Sequence, residues 1–206
     1  VDSAITQTLI GKGHQGAVYR VSEDKCVKIY GKTEHANQEK KVLLSSQDLS
    51  FIPKVFETGP NYILMEYLIG PDLNTFLKKQ SVLSEDITRR LLYILKTMEK
   101  SGFDLNTFLK KQSVLSEDIT RRLLYILKTM EKSGFKKIDA PLRHIIITTN
   151  GFKLVDHVYS FSREQKRPLE LFKDLRKRNF LDSFLEQVQA IDPDTHAEWT
   201  KTNTIR

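Results

Sequence analysis

Residues 9–30 read LIGKGHQGAVYRVSEDKCVKIY. Gly11, Gly13 and Gly16 stand in the spacing G-x-G-x-x-G, with Val18 and Tyr19 just beyond. Glycines permit a tight turn whose backbone amides can approach phosphate oxygens closely. A dinucleotide-binding fold uses the same spacing, but there the third glycine opens a helix. Here Ala17-Val18-Tyr19-Arg20-Val21 favours a strand. The predicted structure is therefore a glycine loop between two strands, within two or three strands spanning Ile5 to Tyr30.

Working outward, Lys28 lies in the β-prone run Cys26-Val27-Lys28-Ile29-Tyr30. Strand side chains alternate in direction, so its ammonium can point under the glycine loop while its neighbours point away. Taken alone, Lys28 reads better as an ordinary surface lysine on an edge strand. A helix is expected from His35 to Leu44. It carries Glu39, whose carboxylate would fix that ammonium, and Glu34 competes for the same role. An apolar strand then runs from Tyr62 through Met65-Glu66-Tyr67-Leu68 into a turn at Gly70-Pro71.

The order of these parts, over residues 5 to 71, resembles the N-terminal lobe of protein kinases and their atypical relatives. The resemblance implies an α+β fold of two lobes, a small antiparallel β lobe (1–70) and a shortened, mainly helical lobe (71–206). It implies ATP and Mg²⁺ as cofactors. Met65 to Leu68 becomes the hinge that holds adenine through backbone groups, at Glu66 and Leu68. Ile10, Val18 and Cys26 become the apolar roof over the base. Lys28 contacts phosphates and serves catalysis, and Glu39 pairs with it.

Residues 136–161 read KKIDAPLRHIIITTNGFKLVDHVYSF. Asn150-Gly151 marks a hairpin between Ile145–Thr148 and Phe152–Val155. In the kinase pattern Asp139 matches the loop aspartate that orients the acceptor hydroxyl, and Asp156 matches the magnesium ligand. Three positions depart from that pattern. His144 replaces the second metal ligand, usually an asparagine, and an imidazole suits magnesium poorly. Asp156-His157-Val158 stands for D-F-G and lacks its glycine. The stretch from Asp156 to Pro168 leaves little room for an activation segment, and there is no A-P-E.

The chain is similar overall to small bacterial serine/threonine-kinase-like proteins. The function implied is ATP-dependent phosphotransfer to a protein or small-molecule acceptor. The alternative is a catalytically inactive pseudokinase that binds nucleotide or acts as a scaffold.

One feature lies outside that pattern. Asp72 to Phe103 reads DLNTFLKKQSVLSEDITRRLLYILKTMEKSGF, and Asp104 to Phe135 repeats it letter for letter over 32 residues. Natural solenoids drift in sequence and use three or more copies. Two perfect copies point instead to a recent tandem duplication or an engineered insertion. Each reads as two helices, the second capped by Ser84 or Ser116 and stopped by Gly102 or Gly134. One copy fills the helical place beside the hinge. The other extends the fold, loops out, or exchanges with another molecule as a domain-swapped dimer.

The remaining chain bounds the setting. Pro168 is expected to open a helix bearing Leu169, Phe172 and Leu175. Leu181, Phe184, Leu185 and Val188 form the next apolar face, and Asp192-Pro193 caps a last helix carrying Trp199. A single cysteine, Cys26, excludes an intrachain disulfide and suits a reducing cytoplasm. No apolar run is long enough to span a bilayer, and no secretory leader pattern is present. The start at Val1 suggests processing or trimming. The net charge of +7 is spread over helix faces and partly duplicated with the repeat. Neither a helix-turn-helix nor an aromatic platform accompanies it, which argues against nucleic acid.

Overall fold

The computed structural model describes residues 8–81 and 114–201. The expected strand residues Ile5 to Gln7 and the expected helix from Ser84 to Gly102 lie outside the described residues. The N-terminal part is a five-stranded antiparallel sheet in the order β1-β2-β3-β5-β4. Its strands are β1 (Thr8–Lys12), β2 (Gly16–Arg20), β3 (Lys25–Tyr30), β4 (Val55–Thr58) and β5 (Tyr62–Glu66). Helix α1 (Thr33–Ser45) begins two residues earlier than expected and packs against β3, β4 and β5. Ala36, Glu39, Val42 and Leu43, at helical spacing, form its buried face.

The glycine loop is indeed a strand-to-strand turn. Gly13 N–H donates to Gly16 C=O at 2.9 Å and closes it. β2 and β3 pair in register, with Val18 opposite Lys28. On β3 the side chains of Cys26, Lys28 and Tyr30 share one face, as the two-residue period dictates. Cys26 and Tyr30 are buried there.

The chain leaves the sheet through Gly70, whose φ is +152°. A Cβ on Gly70 would stand 1.8 Å from Ile147 O, so only glycine lets the two backbones meet. Helix α2 (Leu73–Ser81) follows, with Asp72 Oδ1 accepting from Thr75 N–H at 2.9 Å as an N-cap. Helix α3 (Glu117–Lys132) follows the Ser116 cap position and buries Ile119, Leu123, Leu127 and Met130. Ser116 makes no side-chain capping bond.

A 3₁₀ turn, Leu142–His144, leads into the hairpin β6 (Ile145–Thr148) and β7 (Gly151–Leu154). Thr148 pairs with Gly151, so the two-residue turn is Thr149-Asn150, one residue earlier than expected. The hairpin is tied to the first part of the chain. Leu154 N–H donates to Phe51 O at 2.7 Å, and Ile147 N–H donates to Pro71 O at 3.0 Å. The architecture is thus the expected α+β arrangement, an antiparallel five-stranded sheet followed by a mainly helical part.

Helix α4 (Leu169–Lys177) has Pro168 at its N-cap rather than at its first turn. Helices α5 (Leu181–Ile191) and α6 (Pro193–Thr200) close the C-terminal core. Asp192 Oδ1 accepts from Thr195 N–H at 3.0 Å, the expected cap. Trp199 stacks on Phe184 and meets Phe172 edge-on at 5.8 Å. No helix of the described residues is long and apolar enough to cross a membrane.

Candidate functional site

A cavity of about 410 Å³ lies between the sheet and the β6–β7 hairpin. Ile10, Val18, Cys26 and Met65 give it apolar walls, and Gly11, Gly13 and Gly16 form its rim. The three glycines differ physically. A Cβ on Gly16 would meet Ile29 O at 1.9 Å, so Gly16 is required by the β2–β3 pairing. Gly11 and Gly13 have nothing within 4 Å of such a Cβ. Their bare backbone faces open space at the cavity rim, where a ligand can approach closely.

On the floor, Lys28 Nζ stands 2.6 Å from Glu39 Oε2. Glu39 is 2% exposed, and a buried carboxylate is stable only when fully hydrogen-bonded. Three donors satisfy it: the Lys28 ammonium, Tyr30 Oη at 2.8 Å and His157 N–H at 3.2 Å. Glu34 is exposed and plays no part. Burial and the neighbouring Glu39 carboxylate push the Tyr30 phenol far above its ordinary pKa, so it stays a donor.

Asp156 completes the group. Its Oδ1 lies 3.5 Å from Lys28 Nζ and its Oδ2 3.6 Å from His144 Nε2. Its φ of 66° is in the left-handed region, which aspartate tolerates better than most residues. Such local strain collects where the surrounding structure must hold a side chain in place. His144 loses solvation in the site, and this outweighs the attraction of Asp156 to hold its pKa below 6.5. It is therefore a neutral imidazole at neutral pH. Among the described residues no group of three or more His, Cys, Asp or Glu is placed to hold a metal ion.

Met65, Glu66, Tyr67 and Leu68, the segment expected as a hinge, border the same cavity. Tyr67 N–H is engaged by Asp24 O at 2.8 Å. Leu68 N–H has no partner among the described residues and is a donor open to a ligand. The Glu66 carboxylate instead ties β5 to the β6–β7 hairpin, accepting from Lys54 N–H at 3.1 Å and Lys153 Nζ at 3.2 Å. Cys26 is buried beside it, and desolvation raises its thiol to about 11, which leaves it unreactive.

Asp139 lies apart from Lys28, on a smaller adjoining cavity of about 210 Å³ shared with His144, Asp156 and Arg143. Asp139 is 6% exposed, and its carboxylate accepts four hydrogen bonds. Ala140 N–H and Leu171 N–H reach Oδ1 at 3.0 and 3.1 Å. Gln165 Nε2 and Glu170 N–H reach Oδ2 at 2.7 and 3.0 Å. Three of these donors are backbone groups, two of them in the first turn of α4. Asp139 thus anchors that helix as well as facing the smaller cavity.

Sequence reasoning missed three contributors. Tyr30 follows Lys28 by two residues on one strand face, a signal that could have found it. His157 takes a buried seat, 1% exposed, with its Nε2 2.7 Å from Leu154 O. Gln165 carried no local signal, because only the fold brings it to Asp139.

Comparison with known proteins gives partial matches. No family model matches the chain. It is 29% identical over 100 residues to YrzF of Bacillus subtilis (strain 168), a protein named provisionally as a serine/threonine-protein kinase. That match covers 46% of this chain and 46% of YrzF. It is 34% identical over 119 residues to the serine/threonine-protein kinase cot-1 of Neurospora crassa, covering 48% of this chain and 20% of cot-1. The chain therefore spans less than half the length of either relative. Among solved structures, it is similar to the ternary complex of streptomycin, ATP and APH(2″)-IIa. The TM-score is 0.45 at 13% identity, over 93% of this chain and 80% of the other.

Proposed function

We propose that the larger cavity binds Mg·ATP and that the protein transfers the γ-phosphoryl group to a hydroxyl acceptor, as a phosphotransferase of serine/threonine-kinase type. One observation carries the reading. A single ammonium, Lys28, is held by buried Glu39 beneath a glycine rim and faces Asp156 across the cavity floor. The names of the two sequence relatives support it.

The residues present fit a hydrated magnesium ion. This ion takes hard oxygens and keeps several waters, relying on one or two carboxylates and the substrate phosphates. Asp156 offers such a carboxylate, and neutral His144 beside it serves better as a packed or water-mediated neighbour than as a ligand. The bound metal would neutralise charge on the transferring phosphoryl group. Adenine would lie between Val18, Ile10 and Cys26, with Leu68 N–H directed at it. Backbone amides at Gly11 and Gly13 and the Lys28 ammonium would hold the phosphates.

The acceptor would enter the smaller cavity, where Asp139 and Asp156 both present carboxylates. An ionised carboxylate has about four lone-pair sites, and those of Asp139 are taken. An acceptor hydroxyl reaches Asp139 by displacing Gln165, the one side-chain donor among the four. Catalysis then rests on positioning and charge stabilisation.

Incubation with γ-labelled ATP, with and without magnesium, tests the transfer. Magnesium-dependent label on the protein or an added hydroxyl acceptor, lost in Asp156→Asn, is expected. Nucleotide binding without transfer to any acceptor would favour the nucleotide-binding scaffold instead.

A further inference from the structure

The described molecule contains one whole repeat unit, assembled from two copies. α2 comes from the first copy, within Asp72–Ser81, whereas α3 and its flanks come from the second, 114–135. The interval between them, 82–113, is as long as the repeat itself. Its first part, 82–103, is identical to 114–135.

The seat that α3 occupies is specific. Leu123, Leu127 and Met130 are fully buried in it. Leu115 N–H donates to Ser183 Oγ at 3.0 Å, and Gln187 Nε2 donates to Leu115 O at 2.7 Å. Lys128 Nζ donates to Thr195 Oγ1 at 3.0 Å, and Phe135 meets Phe161 edge-on at 5.0 Å. Each of these side chains has a twin earlier in the chain: Leu91, Leu95, Met98, Leu83, Lys96 and Phe103.

With α2 kept in place, the first copy can enter the seat in the same way. In the observed arrangement 114–135 fills the seat, and residues 82–113 are the stretch of sequence between Ser81 and Val114. In the other arrangement 82–103 fills the seat, and residues 104–135 are the stretch between Phe103 and Lys136. The two connecting stretches have the same length, and their sequences are rotations of one another, so the entropy of closing them is the same. The seated contacts match as well. Only the exit points differ. Val114 is 60% exposed at the observed one, whereas Lys136 N–H donates to Ser160 O at 2.9 Å at the other.

We propose that the α3 seat is a binding site with two competing occupants in the same chain, residues 114–135 and residues 82–103, and that the protein folds in both registers. Exchange between them requires α3 to leave its seat, so it proceeds through local unfolding.

The test compares the full chain with Leu91→Asp, Leu123→Asp and the double variant, by cooperative thermal melting at several protein concentrations. A buried aspartate at this position bars a copy from the seat. Each single variant is expected to keep a cooperative melt, with a loss of about twofold in the folding equilibrium if the registers are equal in energy. The double variant is expected to lose the transition. The proposal is overturned if Leu123→Asp unfolds while Leu91→Asp melts like the parent, because then only one register exists. It is also overturned if both single variants unfold, or if the double variant melts like the parent. Survival of Leu123→Asp only at high concentration, as a dimer, would place the second occupant in another molecule.

Discussion

His157 N–H donates to Glu39 Oε1 at 3.2 Å, joining the segment after Asp156 to the helix that holds the Lys28 partner. His157 is thus a buried imidazole tied at both ends, by its backbone to Glu39 and by its ring to Leu154 O. Burial is the main influence on it and depresses its pKa below 6.5. Desolvation also depresses His144.

These two imidazoles set a pH dependence of stability. Both bind a proton more weakly in the folded protein than in the unfolded chain. Their contribution is complete above about pH 6.5 and is lost as the pH falls through the folded values. The unfolding free energy from urea titrations is expected to drop between pH 7.5 and pH 5, by at most about 1.4 kcal/mol per pH unit for each group. His157→Phe should flatten that slope. An unchanged slope would remove His157 from the explanation.

The glycines of the rim should separate by role. Gly16→Ala places a methyl group against Ile29 O and is expected to lower the melting temperature markedly. Gly11→Ala meets no neighbour and should melt like the parent while weakening nucleotide binding. Calorimetric titration with Mg·ATP beside the melts distinguishes the two. A Gly11→Ala protein that binds normally would place the phosphates elsewhere.

Asp139→Asn is expected to reduce stability as well as phosphotransfer. The amide sets an NH₂ group against two donors where an oxygen accepted them, at a cost of about 1–3 kcal/mol. Denaturant melts of the variant would show this without any substrate. Full stability in Asp139→Asn would mean that the four bonds to its carboxylate hold α4 only weakly.

Deleting residues 82–113 joins Ser81 to Val114 and restores a single repeat unit. Every contact of α2 and α3 described above is made by residues that the deletion keeps. The shortened protein should therefore fold cooperatively and bind Mg·ATP as the parent does. An unfolded product would show that the interval contributes contacts of its own.

Much of the N-terminal part was legible from the chain. The strand-forming run after Gly16 excluded a helix, and the spacing from Lys28 to Glu39 matched a strand followed by a helix. Both follow from short-range pattern, and so does the Asp192 cap. What the sequence did not disclose depends on distant packing. Tyr30 and His157 converge on Glu39 only because β3, α1 and the segment after β7 meet. The four bonds to Asp139 depend on where α4 begins. The identity of the two repeat copies hides which of them is seated, because periodicity reads the same in each. Pro168 and the hairpin turn shifted by a single residue, since local turn chemistry fixes a boundary less tightly than packing does.

The central claim is that Lys28, held by Glu39 and facing Asp156, forms the phosphate-binding floor of an ATP site. The most direct measurement is the melting temperature with and without excess Mg·ATP, for the parent and for Lys28→Ala. Ligand at about a hundred times its dissociation constant stabilises by about 2.7 kcal/mol, a shift of several degrees. The expected result is a shift in the parent that is absent or much reduced in Lys28→Ala. No shift in the parent, or an equal shift in both proteins, would contradict the assignment.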